Sequence, residues 1–253
     1  MPNLNSLKIY LQSRGSVFTE SQDAIELDLK IIGRSGNRHL FKLRISETHS
    51  NLLTVKEINS LLPSFCPNRH INSDGTFCLG LQADTENLSI EWWRDNLNEF
   101  LQAQIFSQTN GKWPIFCQQW SHGNAAIYQT KVEKLLLEVD LDCLGLEFNR
   151  LRLIEKKNDL FDEPYFHIYH NDKLLITGTE KKVHNKRLSC ICDKYGRAKH
   201  ITLGNCPKKC SNLLISILIN EKNRVLEEEK FWKIFKNSKI QCCGTMHDCI
   251  LKE

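Results

Sequence analysis

From Ala24 to Ile32 (AIELDLKII) apolar and charged side chains alternate, so that Ile25, Leu27, Leu29 and Ile31 share one face. A period of two is the mark of a half-buried strand. The polar turn Gly33-Arg34-Ser35-Gly36-Asn37 follows, and Leu40 to Ile45 (LFKLRI) supplies a second strand, which predicts an antiparallel hairpin or meander. Ahead of these, Leu7, Ile9, Tyr10 and Leu11 form a short apolar group compatible with either helix or strand. Leu52 to Leu62 is mixed, and Pro63 and Pro67 exclude regular helix or central strand around Cys66, leaving an ordered loop.

Beyond residue 88 the period lengthens. Ile90, Trp93, Leu97, Leu101 and Ile105 recur at helical spacing, with Ser89 placed as the N-cap. Trp92 and Trp93 must then point in different directions, one inward and one outward. Gly111 and Pro114 interrupt the chain before Trp120-Ser121-His122-Gly123, and Asn124 to Leu137 offers a second amphipathic helix. His122 reads as a capping or core histidine. Past Glu138 the pattern changes again, so the expected domains are residues 1–137 and 138–253. In the second, Leu151 to Ile154, Tyr165 to Tyr169 and Lys173 to Thr177 are short apolar runs suggestive of a small β element, with His167 and His170 read as surface residues. Leu213 to Phe235 predicts a helix with Leu214, Ile217, Leu218, Val225, Phe231 and Ile234 inside and Glu227, Glu228 and Glu229 outside.

At 253 residues and 41% hydrophobic content the chain can build one large core or two modest ones. No apolar run is long enough to span a bilayer, and the amino terminus MPNLNSLKIYLQSRG lacks a secretory hydrophobic core. The expectation is a soluble, cytoplasmic protein. In a reducing compartment the eleven cysteines read as metal ligands where they cluster and as core thiols or nucleophiles where they stand alone. A net charge of +4 is too small to indicate nucleic acid by itself, and the basic run from Lys181 to Lys199 reads as a solvated face.

Cys190-x-Cys192 and Cys206-x-x-x-Cys210 make two close pairs joined by a loop. Tetrahedral zinc takes two thiolates from each of two tight turns, so these four are the candidate ligands of a structural ion, with His200 between them as a possible substitute. Cys242, Cys243, His247 and Cys249 near the end could form a second set or join the first, although adjacent cysteines ligate together only in a special turn. Cys66, Cys117 and Cys143 lie outside ligand-like spacing and read as ordinary thiols.

The remaining chemistry lies in Phe65 to Leu81, FCPNRHINSDGTFCLGL. Asn72-Ser73-Asp74-Gly75 favours a tight turn, which folds His70 and Cys78 toward each other and makes Cys78 the candidate nucleophile. This segment resembles the active-site flap of ubiquitin-conjugating enzymes, in which His-Pro-Asn precedes a turn, Gly-x-x-Cys and an apolar pair. Gly75, Cys78, Leu79 and Leu81 match that frame, and Asn68-Arg69-His70 occupies the place of His-Pro-Asn. His70 thus falls where the family has its oxyanion-stabilising asparagine. Histidine in that slot, with Trp-Ser-His-Gly near residue 120, is similar to the bacterial branch found in antiviral and ubiquitin-like modification operons.

The resemblance implies an α+β, ubiquitin-conjugating-like fold, an antiparallel meander with flanking helices, followed here by a small cysteine-rich domain stabilised by zinc. It further implies a transferase: Cys78 takes a ubiquitin-like protein from the thioester of an activating enzyme and hands it to an amine of a target protein, with His70 as oxyanion donor or base. Membrane and nucleic acid are not among the expected partners. Two other classes remain open, an inactive relative serving as a scaffold and a zinc-dependent nucleic-acid-binding protein.

Overall fold

The computed structural model describes residues 2–49, 52–79, 89–114, 117, 120–138, 151–158, 161–192, 201–238 and 240–252. Leu81, Cys143 and His200 fall outside these. The described chain divides into two compact units, Met1–Gln119 with Phe235–Glu253, and Trp120–Ile234.

In the first unit the opening apolar group is a helix, α1 (Leu4–Ser13). A capping box settles the choice: the Asn3 side chain accepts from the Ser6 N–H while the Ser6 hydroxyl receives the Asn3 N–H. Strands β1 (Phe18–Glu20), β2 (Ala24–Ile32), β3 (Arg38–Glu47) and β4 (Leu53–Glu57) form an antiparallel meander in chain order. The predicted strands are β2 and β3, paired from Ala24–Ser46 to Ile32–Arg38. Their alternation sends Ile25, Ile31, Phe41, Leu43 and Ile45 into the core and leaves Asp28, Lys30 and Lys42 in solvent. Helix α2 (Ile90–Asn110) is capped by the Ser89 hydroxyl, which accepts from the Trp92 N–H, and ends at Gly111 in the left-handed region. It lays Trp93, Leu97, Phe100, Leu101 and Ile105 against the same core, together with Leu4, Leu7 and Leu11 of α1. Of the two tryptophans, Trp93 is buried and Trp92 faces outward.

The second unit holds α3 (Ala125–Glu138), a three-stranded antiparallel sheet of β5 (Leu151–Asn158), β6 (Phe161–His170) and β7 (Lys173–Gly178), and most of α4 (Cys210–Asn237). Val132 and Leu136, Phe166 and Ile168, Leu175 and Ile176, and Leu214, Ile217 and Leu218 share one apolar cluster with Cys190, Cys206 and Cys210. Some expectations change. Ile234 is 65% exposed, and Trp232 takes the inner position on that turn of α4. His170 is buried rather than on the surface; it is the last residue of β6, paired with Lys173 across the turn in which Asn171 and Asp172 adopt positive φ. Among the described residues no helix is long and apolar enough to cross a membrane.

Candidate active-site turn and cysteine cluster

The turn around Cys78 is built by local hydrogen bonds and then docked on β4. Pro67–Arg69 form one 3-10 turn, ended by His70 in the left-handed region at φ 54°. Cys66 and Ile71 exchange N–H···O bonds of 3.1 and 3.0 Å across it. Next, the Gly75 N–H reaches the Asn72 carbonyl at 2.9 Å, a closure for which Gly75 adopts φ +81°. The Asp74 carboxylate accepts the Thr76 N–H at 3.0 Å and its hydroxyl at 2.6 Å. That hydroxyl bond is the first reason the Asp74 carboxyl stays below the usual carboxylate range, and it makes Asp74 a turn-former.

At the open end of this small hairpin the Cys78 N–H donates to the His70 carbonyl at 2.8 Å. The backbone therefore brings the two residues together. Phe77 and Leu79 on either side are buried, and Cys78 between them is partly exposed. His70 turns its ring inward: it is 3% exposed and meets Trp113 edge-on, with ring centroids 4.9 Å apart.

Arg69 fixes the base of the turn. Only 1% exposed, it donates from Nε to Gln104 Oε1 at 2.8 Å and from Nη2 to the Gln104 carbonyl at 3.1 Å, while Gln104 Nε2 returns a 2.6 Å bond to the Arg69 carbonyl. A guanidinium so deeply buried must have all its donors answered. Thr245 Oγ1 receives Nη1 at 3.3 Å. A polar Gln104 on the apolar face of α2 was the one available sequence signal for this lock.

In the second unit, Cys190, Cys192, Cys206 and Cys210 place their sulfurs within 4.8 Å of one another. Successive contacts run from Cys190 to Cys192 at 3.4 Å, Cys192 to Cys206 at 3.5 Å and Cys206 to Cys210 at 3.5 Å. Tetrahedral Zn–S bonds set sulfurs roughly 3.8 Å apart, so the quartet fits a metal ion and could hold one. A two-stranded bridge presents the first pair, with the Cys190 N–H on the Ile201 carbonyl and the Leu203 N–H on that of Leu188. Cys210 opens α4. Burial opposes ionisation of Cys206, yet the Cys210 N–H and the neighbouring thiols bring it down to about 7, while burial holds Cys190 up.

His122 has a core role. Its N–H donates to Glu228 Oε2 at 2.7 Å, its ring nitrogen contacts Oε1, and its ring stacks on Phe231 at 4.8 Å. Glu228 is therefore drawn in rather than exposed, and also accepts from Trp232 Nε1 at 3.0 Å. Cys117 is an ordinary buried thiol, and burial pushes it up to about 12. Cys66 is not ordinary: its sulfur lies 2.9 Å from that of Cys243.

A strand meander, a cysteine-bearing turn and a following helix make the first unit a domain of the ubiquitin-conjugating, or E2, type. The family model "Prokaryotic E2 domain" matches residues 13–115, and "Cysteine-rich domain, C-terminal to E2 domain" matches residues 121–251. The chain belongs to this family of prokaryotic E2 proteins with a cysteine-rich carboxy-terminal domain. No curated protein and no solved structure gives a significant match.

Proposed function

We propose that Cys78 accepts a ubiquitin-like modifier as a thioester from an activating enzyme and passes it to an amine of a target protein, in bacterial antiviral defence. The observation that carries this reading is a partly exposed thiol at the open end of a rigid turn, inside the segment that matches the prokaryotic E2 domain. A thiolate attacks the incoming thioester carbonyl and expels the activating enzyme's thiolate. The new thioester keeps enough reactivity for an amine to displace Cys78 in turn. Each attack passes through a tetrahedral oxyanion, for which one aimed donor contributes about 3 kcal/mol. His70 is tied to Cys78 through its backbone carbonyl, and to act as that donor or as a base its ring, now turned inward against Trp113, has to swing toward the thioester. Zinc on Cys190, Cys192, Cys206 and Cys210 would hold the second unit together and take no part in transfer.

With the cognate activating enzyme, modifier and ATP, the wild-type protein gains a covalent adduct that thiol reductants release, and Cys78→Ser loses it. Absence of an adduct from the wild type, or an equally reducible one on the serine variant, sinks the proposal. Phage challenge of cells carrying the serine variant tests the defence role: undiminished protection would separate it from Cys78. Burial of the His70 ring favours one second reading, an inactive scaffold with the fold retained. Slow maleimide labelling of Cys78 in the folded protein would point there, fast labelling to the enzyme.

A further inference from the structure

Residues 240–252 have no helix or strand, yet they are held against the rest of the first unit. The His247 N–H donates to the Gly111 carbonyl at 2.7 Å, and Met246 and Cys249 are buried beside Cys66. Gly111 is required there: a Cβ on it would come within 2.5 Å of the His247 ring. On the other side Cys66 is pinned by its two backbone bonds to Ile71. The 2.9 Å approach of Cys66 and Cys243 is thus imposed from both sides by the surrounding structure.

We propose that Cys66 and Cys243 are a peroxide-responsive dithiol, whose oxidation to a disulfide tethers the carboxy-terminal tail to the turn that carries His70. The roles follow from the surroundings. Cys243 is partly exposed, its sulfur is 3.1 Å from the Thr245 hydroxyl, and that hydroxyl is held by Arg69 at 3.3 Å. Donors and a buried guanidinium around a reachable sulfur favour the thiolate. Cys66, by contrast, is 1% exposed and out of reach of a peroxide in solvent. Cys243 is the attacking sulfur and Cys66 the resolving one.

The Cys243 thiolate attacks one oxygen of hydrogen peroxide. The O–O bond breaks, hydroxide leaves and takes up a proton as water, and the sulfur becomes a sulfenic acid. The Cys66 sulfur then attacks it, an S–S bond replaces the S–O bond, and the departing hydroxyl carries off the Cys66 proton as a second water. Two thiols and one peroxide give one disulfide and two waters. A metal explains the pair less well, because 2.9 Å is far inside the roughly 3.8 Å edge of a tetrahedral thiolate site. Among the described residues, moreover, only the quartet in the second unit has all its ligand atoms within 4.8 Å of one another.

The test uses the full chain, purified reduced, exposed to a few equivalents of hydrogen peroxide, blocked with maleimide and mapped by peptide mass spectrometry. Expected is a linked species joining the Cys66 and Cys243 peptides, lighter by about two mass units than the separate thiols, reversed by dithiothreitol. Fragment ions that separate Cys242 from Cys243 assign the partner. Cys66→Ser should lose the link entirely and leave a sulfenic acid on Cys243 that dimedone traps. The proposal is overturned by pairing of other cysteines, by conversion of Cys243 straight to sulfinic acid with no link, or by a copurified metal whose stoichiometry falls when Cys66 is replaced. These readouts do not depend on modifier transfer.

Discussion

The two thiol-rich places in this protein use the same atom for different ends. In the second unit four sulfurs are spaced almost evenly, 3.4 to 3.5 Å between neighbours, and three of them are buried within an apolar cluster. In the first unit two sulfurs stand 2.9 Å apart beside a buried arginine and a threonine hydroxyl. Four mutually close sulfurs offer a cation a full set of ligands, whereas a closer pair beside a guanidinium and a hydroxyl is placed for a bond between its own two sulfurs. What separates a structural thiol from a reactive one is the neighbour that answers its charge.

The largest expected effect comes from removing that answer in the second unit. With zinc on the quartet, chelation or Cys206→Ser should destabilise the unit by several kcal/mol, since structural zinc contributes folding free energy on the order of 10 kcal/mol. Hydrogen exchange would show β5 to β7 losing protection while β2 and β3 keep theirs. Equal loss in both sheets would break the contrast. Next in size is Gln104→Ala, which removes the acceptor of Arg69 Nε and the donor to the Arg69 carbonyl, leaves the bond from Nη2 to the backbone carbonyl of residue 104, and should cost about 2–3 kcal/mol in denaturant unfolding. A cost near zero would show that the guanidinium finds water and that Cys243 lacks a fixed cation.

The smallest effect sharpens the comparison with a contact that contains no sulfur. Burial opposes ionisation of Glu228, but His122 and Trp232 hold its carboxyl below its ordinary value of 4.5. A depressed folded pKa contributes stability that is present above the unfolded value and is lost as pH falls through the folded one. Acid titration of the wild type should therefore show a loss below about pH 4.5 that Glu228→Gln reduces, with a cost of about 1–2 kcal/mol for the variant at neutral pH. An unchanged acid limb would assign that loss to other carboxylates.

How far the chain could be read from its sequence followed the range of the interactions. Strands β2 and β3 and helix α2 were legible because burial is periodic, and Ser89 because a cap acts three residues away. The quartet was legible because each pair sits in one turn. Strand β4 escaped, since LTVKE is five residues long and Leu53 and Val55 alone mark its buried face. Ile234, expected inside, is exposed and Trp232 is buried in its stead, because a helical stripe drifts around the axis over the length of α4. No local pattern foretold the pairing of Cys66 with Cys243 or of Arg69 with Thr245, partners drawn from opposite ends of the chain. Within the candidate site, the turn was readable from its Asn, Asp and Gly, whereas the inward ring of His70 depends on Trp113 and could not be.

The docking of the turn on β4 has a consequence for solubility. Open sheets present unpaired backbone at their margins, a template for joining other chains. Here β1 is only three residues long, and the outer side of β4 is occupied where Phe77 donates to the Val55 carbonyl and Lys56 bridges to Thr76. The segment that carries Cys78 thereby also shields the meander's longer margin. A lesion that loosened the tight bend at Gly75 would do more than misplace a thiol: it would uncover a sticky edge, and self-association would accompany the loss of function.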